Sequence, residues 1–414
     1  MDNNGQRSAY YIDNDPRFVA RRSALSVYVS LPPQRPGERA QNQNQSQNQE
    51  PARPQPEPAR APAAQPVPER PVPVVVAERP PTKEEMARMQ SWAKKLHGLS
   101  CKKLSKEFDK ENKRYVQPGL TTVACRTGMN LYKWRNAEVF CIDQTRVVLK
   151  QRGSDVDFIH ANWMGSPTPG AVKYICTQAP FKETQEDFWH MCYTERASLV
   201  LMLCDFTEGS SGYVETEKCF RYFPQRPNET MKVGPYTVTM RERLSQPVVA
   251  DAVFRSIEIK CKDQPSVVLQ HCMFRGWPES CAPVDTDRVM QLWRWVKAQH
   301  TGRPVVVHSS TGSGRAATFC SIDYAIHRIA GDKHTKMIDV VKDLRRQRHA
   351  AIQSDAQFLY LHWLVLDAMV MEKAAKPYSA SKFVAEYKKY TLNHTARFFL
   401  QVLPKPVEES SWYL

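Results

Sequence analysis

The sequence predicts an α/β (α+β) domain: a twisted, mixed β-sheet flanked by helices. Three observations carry that expectation. Short apolar, β-branched segments interleave with segments of helical period. One wholly apolar segment, Val305-Val306-Val307, leads straight into a glycine turn and a further helix. Finally, of the 30 prolines in 414 residues, 15 precede Thr82, so the segments able to build a core are gathered into the rest of the chain.

The early stretch also carries the run Gln41-Asn42-Gln43-Asn44-Gln45-Ser46-Gln47-Asn48-Gln49 and a Pro/Ala/Arg/Glu alternation from Pro51 to Pro81. Such a composition buries too little to offset the entropy of ordering, and residues 1–82 read as a disordered Gln/Asn- and Pro-rich arm. Its PxxP spacing, Pro51-Ala52-Arg53-Pro54, suits an SH3-type module, but a flexible arm is the simpler reading. About 330 residues remain, ample for one large core.

Ten basic and eight acidic residues fall within the first 82, so almost all of the net charge of +15 belongs to the remainder. A basic domain suits nucleic acid, an anionic membrane or a phosphorylated partner, and charge alone does not choose among them. No apolar run approaches the roughly 18 residues of a membrane span. The 11 cysteines show no CxxC pair, and the 11 histidines no HExxH or paired ligand spacing. They imply no metal or cofactor, and read as reduced, mostly core thiols of a cytoplasmic protein.

Thr82, with Glu85 three residues on, opens a charged, exposed helical region reaching about residue 114 as a capping box. Apolar β-type segments follow over 146–149, 158–164, 171–177, 198–203, 236–243, 257–261, 267–274 and 304–308. Helical periodicity occupies 185–194, 286–299, 314–330, 336–347 and 356–371, the last with a strongly apolar face. The domain with its N-terminal helices is therefore placed at 83–373. Residues 374–414 form a C-terminal extension, with a helix near 382–390 and Phe398-Phe399-Leu400 expected to dock on the domain.

The chemistry concentrates in Val307-His308-Ser309-Ser310-Thr311-Gly312-Ser313-Gly314-Arg315-Ala316. A buried strand stops, small residues turn tightly and an apolar helix begins, so successive backbone amides converge at a helix N-terminus and form an oxyanion site. Arg315 adds a planar fork that grips phosphate bidentately. Other readings of the turn remain. Gly312-x-Gly314-x-x-Ala317 formally matches a dinucleotide fingerprint, but Arg315 would crowd the pyrophosphate. A nucleotide P-loop needs Gly-Lys-Ser/Thr where this chain has Gly-Arg-Ala, and a plain strand–turn–helix is the bland alternative.

The stretch from His308 to Arg315 resembles the signature loop of the classical protein tyrosine phosphatases, His-Cys-x-x-Gly-x-Gly-Arg. Other segments resemble that family in the same order: Lys133-Trp134-Arg135-Asn136, Asp157-Phe158-Ile159-His160-Ala161-Asn162, Tyr174-Ile175-Cys176-Thr177-Gln178-Ala179-Pro180, Lys218-Cys219-Phe220-Arg221-Tyr222-Phe223-Pro224, Trp277-Pro278-Glu279, and Leu344 through Ser354. The resemblance spans about 104–371 and implies the classical tyrosine phosphatase fold. It also implies a phosphate cradle of Ser310, Thr311, Gly312, Ser313, Gly314 and Arg315. Glu279 falls at the general-acid position and Gln353 matches the glutamine that positions the hydrolytic water. Asn136 and Glu138 fall on the substrate-binding segment.

The departures from the family decide the expected function. The family's nucleophile is a cysteine thiolate, and here the position is Ser309. Converging amides do not ionise an aliphatic hydroxyl near neutral pH, and loss of a covalent nucleophile costs on the order of 10⁶ in rate in other hydrolases. Glu279 replaces an aspartate, and a displacement of about 1 Å can cost about 10²-fold. Ala316 lacks the hydroxyl that assists thiolate departure, and Asn136 replaces the tyrosine that walls the aromatic slot. Trp134 offers another aromatic wall, or packing. The basic residues Lys102, Lys103, Lys106, Lys110, Lys113, Arg114, Arg345, Arg346 and Arg348 read as solvated helix faces rather than a nucleic-acid surface. The expectation is a pseudophosphatase that binds or shields tyrosine-phosphorylated partners or scaffolds signalling; an active or weakly active phosphatase and a phosphate-independent interaction scaffold are the alternatives. Oligomeric state is left open.

Overall fold

The computed structural model describes residues 78–111, 116–209, 215–245 and 249–402. The expected arm up to residue 77, Lys113, Arg114 and the chain after 402 lie outside these residues, as do the side chains of 394–402 and with them the docking expected of Phe398-Phe399-Leu400.

Nine strands form one mixed sheet. In spatial order they are Arg146–Val148 (β1), Phe158–Met164 (β2), Tyr174–Gln178 (β3), Val305–Ser309 (β11), Leu199–Met202 (β4), Val267–Phe274 (β10), Ala252–Cys261 (β9), Tyr236–Leu244 (β8) and Thr230–Val233 (β7). The four central strands, β3, β11, β4 and β10, run parallel, and their neighbours outward on both sides pair antiparallel. Parallel strands are covered on both faces, which is why β11, β4 and β3 are buried at every position and why residues 305–307, 199–202 and 174–176 read as apolar runs. A separate pair of strands, Thr207–Gly209 (β5) and Glu215–Glu217 (β6), stands outside the sheet.

The two-residue period of β11 divides the core. Val305 and Val307 face a large cluster built with the helices Asp287–Ala298 (α5), Arg315–Gly331 (α6), Met337–Gln347 (α7) and Asp355–Met371 (α8). Val306 faces the other way, toward Phe188 and Trp189 of the helix Gln185–Thr194 (α4) and the aromatic pair Tyr222 and Phe223.

The expected eight strands and five central helices are present, with ends shifted by a few residues. The strands β5, β6 and β7 were not foreseen, because Thr-Glu-Gly, Glu-Thr-Glu and Thr-Met-Lys-Val have no clear apolar alternation. The opening helical region divides at Gly98 into Lys83–His97 (α1) and Cys101–Glu111 (α2), and a single helical turn, Val123–Arg126 (α3), follows. Its capping box is formed: the Glu85 amide donates to Thr82 Oγ1 and the Thr82 amide to Glu85 Oε2. These helices are not fully exposed, since Met89, Trp92, Leu96, Leu104 and Phe108 are buried, while Lys102, Lys103, Lys106 and Lys110 face solvent.

Beyond residue 373 the chain continues in the helix Ser381–Val402 (α9). Ala374, Ala380, Phe383 and Tyr387 are wholly buried in the main core, and Tyr387 donates a hydrogen bond to the Pro283 carbonyl just beyond the Trp277-Pro278-Glu279 segment. Helix α9 is thus a structural wall of the domain. Phe383→Ala is expected to cost about 3–5 kcal/mol, read as a fall in urea midpoint at unchanged m-value; a loss below about 1 kcal/mol would show that α9 contributes no core.

Candidate functional site

Strand β11 ends at Ser309, held between β3 and β4 in the middle of the sheet, and α6 starts at Arg315. The six intervening peptide units are ordered by what accepts and donates around them. The Ser309 and Ser310 carbonyls accept from the Ala179 amide, at 2.8 and 3.0 Å. The Thr311 carbonyl accepts from Arg348 Nη2 at 3.1 Å and the Gly312 carbonyl from Arg348 Nε at 3.1 Å. Ser313 is taken by the Ile352 amide and Gly314 by the Thr318 amide. Every carbonyl from 309 to 314 is therefore turned outward, and among the described residues the amides of 310–315 find no protein acceptor. Backbone donors left in this way call for an external acceptor, and here they cluster at a helix N-terminus, where the peptide dipoles favour an anion.

Gly312 makes the turn possible. It has φ +69°, and a Cβ there would lie 2.3 Å from the Thr177 carbonyl oxygen. Gly314 is close-packed in another way: a Cβ would lie 2.8 Å from Gln353 Oε1. Gln353 thus stands directly against the loop, its own amide held by Gln357 Oε1 at 3.0 Å.

Arg348 was expected on a solvated helix face, and the structure corrects this. It is 0% exposed, lies one residue past α7 and spreads its guanidinium over the back of the loop. Besides Thr311 and Gly312 it reaches Asn162 Oδ1 at 2.7 Å, the His160 carbonyl at 3.4 Å and His160 Nδ1 at 3.1 Å. Burial, with the nearby Arg348 charge, pushes the His160 imidazole down to about 3, so it is neutral and accepts at Nδ1 while Nε2 meets the Val139 carbonyl. The Arg348 charge is solvated by dipoles with no carboxylate partner among the described residues, and so adds positive potential beneath the amides. Arg345 is also partly buried, bonded to the Glu111, Ala351 and Ile352 carbonyls; Arg346 stays exposed and touches Gln117.

Arg315, 4% exposed, is held bidentately by Glu208 of β5 at 2.7 and 2.8 Å, and Nη1 also donates to the Trp277 carbonyl at 2.9 Å. Burial works against its charge, but the Glu208 carboxylate more than offsets this and the guanidinium pKa is raised. Three of the five guanidinium donors are used, leaving Nε–H and one Nη2–H as a parallel edge suited to a phosphate. Sequence reasoning missed Glu208 because nothing in Thr207-Glu208-Gly209 marks it; only the β5–β6 pairing brings it to Arg315.

Glu279 lies beyond Trp277 and forms a 2.6 Å ion pair with Lys218. Its charge also acts on Arg315 and Arg135. Trp277 is buried, stacked edge-on with Tyr360, and its indole donates to the Cys281 carbonyl at 3.0 Å, so the segment is folded onto the core at its base.

Ser309 is 2% exposed, and its Oγ accepts from the Ala316 amide at 3.4 Å. Ser310 is also buried, and Thr311 Oγ1 is turned onto Ser313 Oγ at 2.9 Å. His308 lies behind the loop with Nε2 2.8 Å from the Tyr222 hydroxyl and its other face toward Cys204, and among the described residues no hydrogen bond joins its ring to Ser309 Oγ.

Asn136 and Glu138 sit on the segment after Lys133. That segment is pinned to β3 by Gln178, which donates to the Lys133 carbonyl at 2.6 Å and accepts from the Arg135 amide at 3.0 Å. Because Gln178 is the register partner of Ser309, the segment is tied to the strand beside the loop. Asn136 turns back on its own chain, its Oδ1 taking the Glu138 amide at 2.8 Å. Trp134 packs edge-on against Phe140 in a small satellite core.

The family model described as protein-tyrosine phosphatase matches residues 130–367. The chain is 31% identical over 247 residues to Tyrosine-protein phosphatase Lar-like of Caenorhabditis elegans, covering 58% of this chain and 11% of that one. It is 28% identical over 298 residues to Tyrosine-protein phosphatase non-receptor type 4 of Mus musculus, covering 70% and 31%. The chain thus spans less than a third of the length of either relative. Among solved structures, the catalytic domain of human protein tyrosine phosphatase non-receptor type 18 matches at TM-score 0.59 and 24% identity, over 67% of this chain and 99% of that one. A structure of that enzyme in complex with HER2 phosphopeptides matches at TM-score 0.53 and 24% identity, over 64% and 96%. These likenesses establish the mixed sheet flanked by helices as the same fold.

Gly312→Ala must push the loop off the Thr177 carbonyl. Anion binding is expected to fall at least about 10-fold, with a stability loss of about 1–3 kcal/mol for the strained backbone, checked by inorganic phosphate titration and thermal melting. Unchanged binding would show that the loop tolerates another shape.

Proposed function

The chain belongs to the protein-tyrosine phosphatase family, and from that premise we propose that this domain holds the phosphate of a tyrosine-phosphorylated protein without hydrolysing it. The observation that carries the reading is the pairing of an unreactive group with a complete cradle: Ser309 at the focus of the loop, the free amides of 310–315 around it, and the unused edge of Arg315 at the rim. A serine hydroxyl attacks only with an adjacent base, and among the described residues Ser309 Oγ is hydrogen-bonded to the Ala316 amide and to no imidazole. A neutral Ser309 also spares an incoming phosphate dianion the repulsion of a thiolate, which favours holding over cutting. The non-receptor type 18 enzyme, solved with HER2 phosphopeptides, offers the ligand class by analogy. Asn136 lacks the ring of an aromatic wall, which is worth about 0.5–1.5 kcal/mol, so the affinity is modest.

A cytoplasmic setting belongs to the same proposal; no helix among the described residues is long and apolar enough to cross a membrane. A second reading, slow hydrolysis, is favoured by Glu279 and Gln353, which keep acid and water-positioning chemistry beside the loop.

Calorimetric titration of the full chain with a phosphotyrosine peptide is expected to give one site, with no release of phosphate from an aryl phosphate. Arg315→Ala removes the bidentate edge and leaves Glu208 facing the ligand, so binding should fall by more than about 10²-fold, since bonds to charged groups are worth about 1.5–3 kcal/mol each. Turnover by the parent chain would overturn the proposal in favour of the second reading; partner capture that survives Arg315→Ala would favour a phosphate-independent scaffold.

With no thiolate to ionise, affinity should rise with pH only as the ligand becomes a dianion, through its second pKa near about 6, and then stay level to pH 8. A further rise or fall between pH 7 and 8 would point to a titrating protein group. Ser309→Cys is expected to gain slow aryl phosphate turnover that the parent lacks; a variant that binds the peptide yet stays inert would place the defect in Glu279 or Ala316 as well.

A further inference from the structure

Behind the phosphate loop, three segments distant in sequence bring together Cys204, Cys219 and His308. All three are buried, and their sulfur and imidazole nitrogen atoms lie within 4.8 Å of one another. Cys204 is the second residue after β4, Cys219 the second after β6, and His308 immediately precedes Ser309. We propose that this triangle is a binding site for a thiophilic divalent metal ion, zinc foremost.

Two thiolates and an imidazole are a ligand set that selects zinc among the common divalent ions. The dimensions allow it: an equilateral triangle of side 4.8 Å has its centre about 2.8 Å from each corner, and Zn–S bonds of ~2.3 Å and Zn–N bonds of ~2.0 Å need only a small contraction. Buried cysteines alone would be ordinary core, as the other buried thiols of this chain are. What sets this group apart is His308. Its Nε2 is fixed by the Tyr222 hydroxyl at 2.8 Å, and that hydroxyl is fixed in turn by His271 Nε2 at 2.9 Å. Its Nδ1 is buried and faces the Cys204 thiol without a well-formed hydrogen bond among the described residues, in a residue that is wholly inaccessible to solvent. A ring held through one nitrogen while the other is turned to a thiol is how a metal-ligating histidine is oriented. Cys219 now donates to the Phe220 carbonyl at 3.2 Å, a weak bond that deprotonation would give up. Binding forms two S–Zn bonds and one N–Zn bond, releases the two thiol protons to buffer, and leaves the fourth tetrahedral position to water.

Each ligand adjoins a working part of the site. Cys204 precedes the strand that carries Glu208, Cys219 follows Lys218, and His308 precedes Ser309, so an ion here would cross-link the supports of Arg315, of Glu279 and of the loop itself. Spacing in the sequence hides the set, since its members are 15 and 89 residues apart. The inference is independent of whether phosphotyrosine is the ligand in front.

The test uses the full chain, reduced and stripped with a chelator, titrated with zinc against a chromophoric chelator. One equivalent is expected, with a melting temperature that rises with free zinc. Cobalt in place of zinc should give a thiolate-to-metal charge-transfer band. Cys204→Ser and Cys219→Ser should each lose the equivalent, the thermal shift and the band. Tyr222→Phe keeps all three ligands and frees His308, and should weaken zinc by about 10–100-fold; it covers the case in which a cysteine variant does not fold. The proposal is overturned if the parent chain, with its thiols shown to be reduced, takes up no zinc. It is equally overturned if the Cys204→Ser/Cys219→Ser double variant, folded, binds the same equivalent, or if Tyr222→Phe binds as the parent does.

Discussion

The rest of the site depends on where Arg348 spends its hydrogen bonds. A buried guanidinium with no carboxylate is costly unless dipoles solvate it, and the dipoles that do so here include the Thr311 and Gly312 carbonyls. Pulling those oxygens toward Arg348 turns the same peptide units so that their N–H groups face the opposite way. The concavity of the loop is therefore the other side of the solvation of a buried charge. Asn162 and His160 complete the shell from β2, so one side chain joins the second strand of the sheet, the end of α7 and the loop. Its charge also remains uncancelled beneath the amides, which gives an anion a long-range reason to bind as well as a short-range one.

Charges in front of the loop are arranged differently. Arg315 is neutralised by Glu208, and Glu279 by Lys218, so neither pair gives the cleft a large net field. They give it direction instead. Glu208 holds the guanidinium plane by two parallel bonds and leaves the opposite edge for a ligand, which is worth more for recognising a planar pair of phosphate oxygens than a free, mobile cation would be. The Trp277 carbonyl shares Nη1, so the position of Arg315 and the base of the Glu279 segment are set together.

The sequence made the central architecture legible because that part of the fold is written in short-range patterns. Val305-Val306-Val307 is apolar at every position because parallel strands are covered on both faces, and Gly312 follows because the chain must pass against the Thr177 carbonyl with positive φ. The residues that orient the site were less legible. Arg348 sits among Arg345 and Arg346 and reads as one of three surface cations; its burial depends on β2, which lies almost two hundred residues earlier. Glu208 belongs to a three-residue strand with no apolar pattern, and Cys204, Cys219 and His308 show no ligand spacing at all. In each case the missing information was a long-range contact, which periodicity does not encode. Helix α9 differs: its pattern was visible, but whether Phe383 and Tyr387 pack inward is settled by the surface they meet.

A loop that gathers unpaired backbone donors around Ser309 has two physical explanations, and the hydrogen bonds separate them. The first is that the loop is kept because the core needs it. That accounts for Arg348, for the carbonyls of 309–314 and for Gly312, all of which are consumed by contacts within the domain. It does not account for the donors that contribute nothing to folding. The amides of 310–315 have no acceptor among the described residues, and Arg315 presents two N–H groups that neither Glu208 nor Trp277 uses. Donors without a protein acceptor add nothing to the hydrogen bonding of the fold itself, so packing alone gives no reason for their convergence. Their convergence around Ser309 at a helix N-terminus is what favours a loop suited to an anion over a loop that serves only as part of the core.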